Sequence, residues 1–487
     1  MPSSNREKVY KGFASQSFVT LVYGLLGLVY FSFMSRLLTK EEFGLYAVVT
    51  ALLAIIESLS EAGLGSAIIQ KKDASPTYVN TAFSLSVVLG SLFAILAYVF
   101  APSLSALTIA SHVLIKPIRL MSIGIFLYSL ISVVRATYMR RLNFLKYGLI
   151  QILVYILSAV VGIFLAYSHY GIYAPLIAIL INQFGLTITL YLIARFRPRF
   201  EINAHDAKEI VSYSGWLTGS VIVRVINDQV DKLVMPRLLS VTLLGTYNRP
   251  AGFVNQLSAQ FFGIFDTILF PILSGVQDDK VKIRVAYKQI CSLLILVSMT
   301  LAYCLMLLSD VMIDIFLGNQ WDNLETLLQV ISLGLVFSAY RRIADCFFRS
   351  LGFMKDYFLF RCLASVVTIV SVVIGCRFGL YGVAWAIIVS KLIDAVTRIS
   401  YLNVRIGFSV NEFFKIILNT GIIPTLFFSI AYFFKMHLGV NSIICFIVFF
   451  ILFCLVAIFK PLWLGDVYYN QVYSVYIKII LDKVKRS

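Results

Sequence analysis

The chain has 487 residues, of which 60% are hydrophobic and only 13% are charged, and its formal net charge is +17. Soluble globular proteins carry about 25% charged residues. The composition therefore excludes an ordinary soluble protein and predicts an integral membrane protein.

Fourteen apolar segments approach or exceed the roughly 20 residues that a helix needs to cross a hydrocarbon core of about 30 Å. In chain order they cover 13–35, 43–69, 78–101, 114–138, 147–167, 172–194, 213–236, 243–272, 287–308, 324–348, 357–377, 380–402, 413–434 and 440–459. The first is too long for a signal-peptide core and is expected to remain as span 1. Because the loops are short, the predicted fold class is an all-α integral membrane protein with about fourteen transmembrane helices.

Basic residues are concentrated at the N-terminus and after every even-numbered span, as in Arg195, Arg197 and Arg199 after span 6. The positive-inside rule then places both termini in the cytoplasm. The excess charge is explained by topology, so no nucleic-acid partner is expected. The seven Cys include no Cys-x-x-Cys pair and the four His are isolated, so neither a metal nor a cofactor is predicted.

Three stretches occur twice in the same order, which indicates an internal repeat. The pairs are SRLLTKEEFGLYA at 35–47 with PRLLSVTLLGTYN at 236–248, RRLNFLKY at 140–147 with RSLGFMKDY at 349–357, and GIYA at 171–174 with GLYG at 379–382. Two six-span halves from one ancestor explain them. We expect each copy of the first stretch to cap the first helix of its half and to turn the chain tightly, with Gly44 or Gly245 relaxing the turn.

Parallel six-span repeats predict two lobes around a central cavity, with the substrate near the membrane midplane. The expected domains are an N-lobe at 1–200, a C-lobe at 201–408, and spans 13 and 14 with a tail at 409–487. The tail after 465 has one apolar stripe and a basic end. It is expected either to lie on the cytoplasmic leaflet or to pack under the bundle.

Charged residues inside spans are costly and usually face a cavity or one another. In the second half, three spans each place one carboxylate between two bases: Arg224, Asp228 and Lys232; Arg341, Asp345 and Arg349, with Arg342 beside them; and Lys391, Asp394 and Arg398. One interpretation is internal neutralisation that fixes helix packing. The other is an anion site, because each trio keeps one net positive charge and Arg binds phosphate oxygens well. The candidate anion-binding residues are Arg224, Lys391, Arg341, Arg342, Arg119 and Arg249.

Acidic residues within spans are candidates for ion coupling. Glu57 and Glu61 lie four residues apart in span 2 without a nearby base in the helix, and span 7 carries Asp228 and Asp231. A carboxylate buried without a partner can exchange protons with the solvent near neutral pH. Glu57, Asp228 and Asp231 are therefore the candidate proton or sodium sites. The alternative for Glu57 is an ion pair with a neighbouring span.

The stretches SRLLTKEEFGLYA, GLGSAIIQKKD at 63–73 and FPILSGVQDDK at 270–280 resemble bacterial surface-polysaccharide exporters of the multidrug/oligosaccharidyl-lipid/polysaccharide superfamily. The resemblance covers essentially the whole chain. It implies a flippase for undecaprenyl-diphosphate-linked oligosaccharides in the bacterial inner membrane. The substrate lipid and membrane lipids would be its partners, with polysaccharide polymerase and export machinery as further candidates.

The sequence has no G-x-x-x-x-G-K-[ST] loop for ATP. The membrane potential, worth about 2.3 kcal/mol per charge per 100 mV, or proton or sodium antiport is expected to drive transport instead. Rival hypotheses are a multidrug–cation antiporter, a polysaccharide-processing membrane enzyme, and an uncoupled scaffold or scramblase. The second is disfavoured because outer loops are short and no catalytic Ser/His/Asp arrangement is visible.

Overall fold

The computed structural model describes residues 3–71, 75–109, 112–140, 144–193, 198–274 and 280–464. These segments form α1 Ser3–Leu37, α2 Lys40–Glu61, α3 Leu64–Gln70, α4 Pro76–Val99, α5 Ala101–Ile109, α6 Ile115–Arg140, α7 Phe144–Tyr167, α8 Tyr173–Ile193, α9 Ala204–Leu238, α10 Val241–Ser274, α11 Lys280–Leu307, α12 Ser309–Met312, α13 Glu325–Ser350, α14 Met354–Cys376, α15 Gly379–Ile406, α16 Val410–Leu438 and α17 Ser442–Leu464. The predicted all-α class is confirmed. The amphipathic tail predicted after 465 lies outside the described residues.

Eleven described helices are long and apolar enough to cross a membrane. The other three predicted spans coincide with α9, α10 and α17. Of α17, Ser442–Cys454 qualifies only as a shorter apolar helix. The count of fourteen therefore stays a prediction. One boundary was wrong: predicted span 2 is broken at Ala62 and Gly63, both with positive φ, so that α2 ends and the short α3 follows.

The hydroxyl residue of the repeated 35–47 stretch caps the following helix in both copies. Thr39 accepts a hydrogen bond from the Glu42 backbone N–H at 3.2 Å, and Glu42 accepts one from the Thr39 N–H at 2.8 Å. In the second copy, Ser240 accepts from the Leu243 N–H at 3.1 Å. Such side chains satisfy backbone donors that a helix start leaves open. The prediction that each copy caps the first helix of its half was wrong, because the hydroxyl residue caps the start of the second helix, α2 or α10.

The predicted role of the motif's glycines was wrong. Gly44 and Gly245 do not lie in the turn but inside α2 and α10, where the two copies touch. A Cβ on Gly245 would lie 1.8 Å from the Lys40 carbonyl oxygen, and one on Gly44 would lie 2.0 Å from the Val241 carbonyl oxygen. The motif is duplicated because the copies form two halves of one helix–helix joint that only glycine allows.

The other repeated glycines do serve turns. Gly171 and Gly379 stand at equivalent places and have φ values of +55° and +71°. Each precedes the helix that ends its half, α8 or α15. A residue with a side chain is strained in this left-handed region, which explains why both copies keep Gly.

The contacts divide the chain into two compact units. Unit 1 comprises Met1–Gln260, Phe316–Trp321 and Arg361–Ala386. Within it, α3, α4 and α6 share one apolar cluster, and α6, α7 and α8 share another. The chain before α9 is fixed along α4, because the backbone N–H groups of residues 199, 201 and 203 donate to Asn80, Ser84 and Thr81 at 2.8–3.1 Å.

Unit 2 comprises Phe261–Ile315, Asp322–Phe360 and Ile387–Ser487. An apolar and aromatic cluster joins α11 to α16 and α17, the two helices beyond the repeat. Asp310 accepts from Lys435 Nζ at 3.0 Å and from Ser442 Oγ at 2.5 Å. We call these three residues the Asp310 clasp. The predicted lobes at 1–200 and 201–408 have other boundaries than these units and stay a prediction.

Candidate functional site

The two carboxylates of α2 have different partners. Glu57 accepts a hydrogen bond from Gln183 Nε2 of α8 at 2.9 Å. Glu61 accepts from Tyr128 Oη of α6 at 3.1 Å and lies 3.8 Å from Arg135 Nη2. The ion pair expected as the alternative for Glu57 is therefore formed by Glu61 instead. The hydrogen-bond donor to Glu57 is a neutral amide, and its role in coupling stays a prediction.

Glu57 lines a cavity of about 260 Å³ within unit 1. The cavity lies among α1, α2, α6, α7 and α8. Six tyrosines contribute to its wall, namely Tyr23, Tyr30, Tyr46, Tyr128, Tyr147 and Tyr155. Arg135, Gln151, Asn182 and Gln183 add polar atoms. Polar side chains inside a membrane span are costly and usually face a cavity or one another. The polar groups of this cavity therefore suit a polar ligand.

In unit 2, one arginine joins two of the predicted charge trios. Arg398 is fully buried and donates from Nη1 to Asp345 Oδ1 on α13 and from Nε to Asp394 Oδ1 on its own helix, each at 2.5 Å. The trios were predicted as groups within single helices, and this was incomplete because Asp345 on α13 binds Arg398 on α15. Pairing within the membrane part of unit 2, as the packing interpretation expects, is thus observed for these three residues.

The remaining bases of α13 and α15 are candidates for binding an anion. Lys391 Nζ packs against α13, where a Cβ on Gly334 would lie 3.3 Å from it. Arg342 lies 5.7 Å from the centre of the Phe262 ring. Six bases and three carboxylates lie on this pair of helices, which therefore has an excess of positive charge. The bases are Arg341, Arg342, Arg349, Lys391, Arg398 and Arg405, and the carboxylates are Glu325, Asp345 and Asp394.

Arg249 is built into the joint between the repeat copies. It is 6% exposed, donates from Nε to Ser35 Oγ at 2.6 Å, and also donates to the Phe31 carbonyl oxygen. Its guanidinium carbon lies 3.4 Å and 4.0 Å from the ring centres of Phe31 and Phe43. This geometry favours a structural role for Arg249 over binding of a substrate.

The other predicted site residues of unit 1 lie apart from the tyrosine-lined cavity. Arg224 and Asp228 are exposed on α9, and Asp231 is half-buried on the same helix. Arg119 lies beside the end of α4, 5.0 Å from the centre of the Tyr98 ring. The structure therefore does not gather the predicted anion-binding residues of unit 1 into one pocket.

Among the described residues, one group could approach a metal ion. The ligand atoms of His205, Asp206 and Glu209 lie within 4.8 Å of one another at the start of α9. Lys71 forms an ion pair with Glu209, so one of the carboxylates is already occupied.

Sequence reasoning missed most of the tyrosine-lined cavity. Tyrosines at membrane interfaces and inside lobes look alike in sequence. Arg135 and Gln183 were also overlooked, although each is a polar residue within an apolar span, which was the signal used for Glu57. Their relation to α2 depends on tertiary contacts between positions up to 126 residues apart.

These features describe an all-helical polytopic membrane protein with repeated sequence stretches, a tyrosine-lined cavity in one unit and buried ion pairs in the other. A match to the family described as "Polysaccharide biosynthesis protein" covers residues 33–326. The chain belongs to that family.

Similar proteins of known role agree with this assignment. The chain is 24% identical to the lipopolysaccharide biosynthesis protein WzxC of Escherichia coli K12 over 81% of this chain and 80% of the relative. It is 23% identical to the succinoglycan biosynthesis transport protein ExoT of Rhizobium meliloti, over 76% and 74% of the two chains.

Solved structures share the fold. The lipid II flippase MurJ in an inward closed conformation matches with a TM-score of 0.72 and 17% identity, over 93% of this chain and 99% of that one. An inward-facing multidrug MATE transporter of the MOP superfamily matches with a TM-score of 0.64 and 14% identity, over 80% and 98%. The fold is therefore that of MurJ and the MATE transporters.

Proposed function

We propose that the protein is a flippase that moves an undecaprenyl-diphosphate-linked oligosaccharide from the cytoplasmic to the periplasmic leaflet of a bacterial inner membrane. The flipped repeat unit serves a surface polysaccharide. The family match over most of the helical bundle carries the proposal. Curated relatives named for lipopolysaccharide and succinoglycan support it, and so does a fold shared with a lipid II flippase. The chain acts as a carrier, with both termini in the cytoplasm.

The diphosphate is assigned to the bases of α13 and α15 in unit 2. Arg224 on α9 of unit 1 is kept as a separate anion-binding candidate. A diphosphate needs cationic hydrogen-bond donors when it leaves water. Lys391, Arg341 and Arg342 supply these on two helices that the ion pair of Arg398 with Asp345 connects.

The test is flipping of a fluorescent undecaprenyl-diphosphate oligosaccharide in proteoliposomes. Lys391→Ala and Arg224→Ala should each reduce flipping at least tenfold, because each removes a charge-assisted contact worth about 1.5–3 kcal/mol. Arg405→Ala is the matched control on α15, since that residue pairs with Tyr401 at the exposed end of the helix. Export of cationic dyes by a wild-type protein that ignores the lipid would instead establish a multidrug antiporter.

Coupling to protons is assigned to Glu57, which accepts a hydrogen bond from the uncharged amide of Gln183. A transmembrane pH gradient should accelerate flipping by the wild type and leave Glu57→Gln unaffected. Glu41→Gln, at the exposed start of the same helix, should respond like the wild type. If the pH gradient accelerates flipping by Glu57→Gln as much as flipping by the wild type, Glu57 is not the coupling site.

A further inference from the structure

We propose that the tyrosine-lined cavity of unit 1 is a carbohydrate site that holds one sugar ring of the flipped repeat unit. The inference rests on the proposed function but concerns a different site from the bases assigned to the diphosphate. The cavity volume of about 260 Å³ far exceeds the roughly 30 Å³ share of one water molecule. It therefore offers room for a single pyranose ring.

The charges that line the cavity disfavour an ionic ligand. Glu57 and Arg135 both face it, so one negative and one positive side chain offset each other. Glu57 already accepts from Gln183, and Arg135 lies beside Glu61 outside the cavity lining. Neither an organic cation nor a phosphate would find the excess of opposite charge that compensates for lost hydration.

The polar groups that remain are neutral, and two of them are unsatisfied. Tyr30 Oη and Gln183 Oε1 are buried and have no hydrogen-bond partner among the described residues. Buried polar atoms almost always have a partner. Gln183 Oε1 can only accept, whereas the tyrosine hydroxyl can donate or accept. Sugar hydroxyls do both, so a polyhydroxylated ring can satisfy the two groups together.

The aromatic rings are the second feature of the cavity that favours a carbohydrate. The Tyr23 and Tyr155 ring centres are 4.6 Å apart, and Tyr30 meets Tyr155 edge-on at 6.2 Å. Aromatic faces carry negative charge density. The C–H faces of a pyranose carry positive hydrogens, so they pack on such rings while the equatorial hydroxyls reach the amides around the wall.

Direct binding tests the site independently of transport. The full chain in nanodiscs is titrated with the methyl glycosides of glucose, galactose, rhamnose and N-acetylglucosamine, and binding is followed by saturation-transfer difference NMR.

Tyr30→Phe removes a hydroxyl that no described residue binds, so the fold should be unaffected. It should weaken binding about fivefold, the value of one neutral hydrogen bond. Ala159→Phe, which fills the cavity, should abolish binding. Tyr98→Phe, outside the cavity, should bind like the wild type.

Each outcome supports or overturns the site. Saturable binding of at least one glycoside that both cavity variants weaken supports it. No saturable binding by the wild type, or equal binding by all variants, overturns it. Saturable binding of tetraphenylphosphonium that Ala159→Phe blocks would overturn it in favour of an organic-cation site.

The flipping assay separates this inference from the proposed function. Suppose that the two cavity variants weaken sugar binding but the wild type does not flip the lipid-linked oligosaccharide. That result would refute the proposed flippase function and leave the sugar site supported. Flipping without sugar binding would refute the sugar site alone.

Discussion

The joint between the two repeat copies predicts that Gly245→Ala will destabilise the protein strongly. The new Cβ would lie 1.8 Å from the Lys40 carbonyl oxygen and 2.9 Å from the Gly44 nitrogen, whereas ordinary contact begins at 3.4 Å. Both obstructing atoms belong to the backbone, so no rotamer change relieves the clash and α2 and α10 must separate. Overpacking of this kind costs typically 1–3 kcal/mol. We expect the upper end, about 3 kcal/mol, which is more than a hundredfold in the unfolding equilibrium.

The same helix provides the control. Gly263 lies in α10 with nothing within 4 Å of its would-be Cβ, so Gly263→Ala gains helix propensity of up to about 1 kcal/mol without a clash. Four cysteines, Cys291, Cys346, Cys376 and Cys445, are buried. Thermal unfolding of purified protein can therefore be followed with a thiol-reactive fluorophore. A clearly lower melting temperature is expected for Gly245→Ala alone. Equal melting temperatures for the two variants would refute the close approach.

Three further predictions concern unit 2. Gly334→Ala should displace the ammonium group of Lys391, 3.3 Å from the new Cβ, and reduce flipping in proteoliposomes without lowering the melting temperature; normal flipping would contradict this. Arg398→Met should cost about 3–5 kcal/mol in chemical unfolding, because it leaves two buried carboxylates without their common partner; a loss below 1 kcal/mol would refute the bridge. Burial raises the pKa of Asp310, but hydrogen bonds in the clasp outweigh burial and lower the pKa below 3.8. The clasp's stabilisation is thus present above that pH and is lost as pH falls through the lower, folded-state pKa. Melting temperatures between about pH 2 and 7 should show this acid loss, and Asp310→Asn should lack it; identical profiles would argue against the clasp.

The helical fold was largely predictable because apolar span length is set by bilayer thickness. Hydropathy located the helices. The N-caps Thr39 and Ser240 were not predicted, although capping depends on neighbours within three residues. The break at Ala62 and Gly63 was not predictable from hydropathy, since α2 and α3 form one continuous apolar run.

At the candidate site, only contacts between residues close in sequence were predictable. Asp394 and Arg398 pair at the i, i+4 spacing that the sequence indicated. Asp345 was assigned to neighbours on its own helix, yet Arg398 reaches it across 53 positions. The partner of Glu57 is likewise distant in sequence. Which face of a span meets which neighbour is decided by helix packing, and a hydropathy pattern contains no such information.

The repeat itself supports separate sites for sugar and diphosphate. At the offset of 201 between Ser35 and Pro236, Tyr23 corresponds to Arg224, and Tyr30 corresponds to Asp231. At the offset of 208 between Gly171 and Gly379, Gln183 corresponds to Lys391.

Three positions that are neutral and polar in the first half are therefore charged in the second. The joint and turn glycines stayed the same in both halves, because backbone geometry leaves no alternative at those places. The second half carries two cations, Arg224 and Lys391, and one anion, Asp231, at the three positions. A substrate with a neutral sugar part and an anionic diphosphate part accounts for the two cations. A substrate of uniform charge would give no reason for the same positions to diverge in this direction.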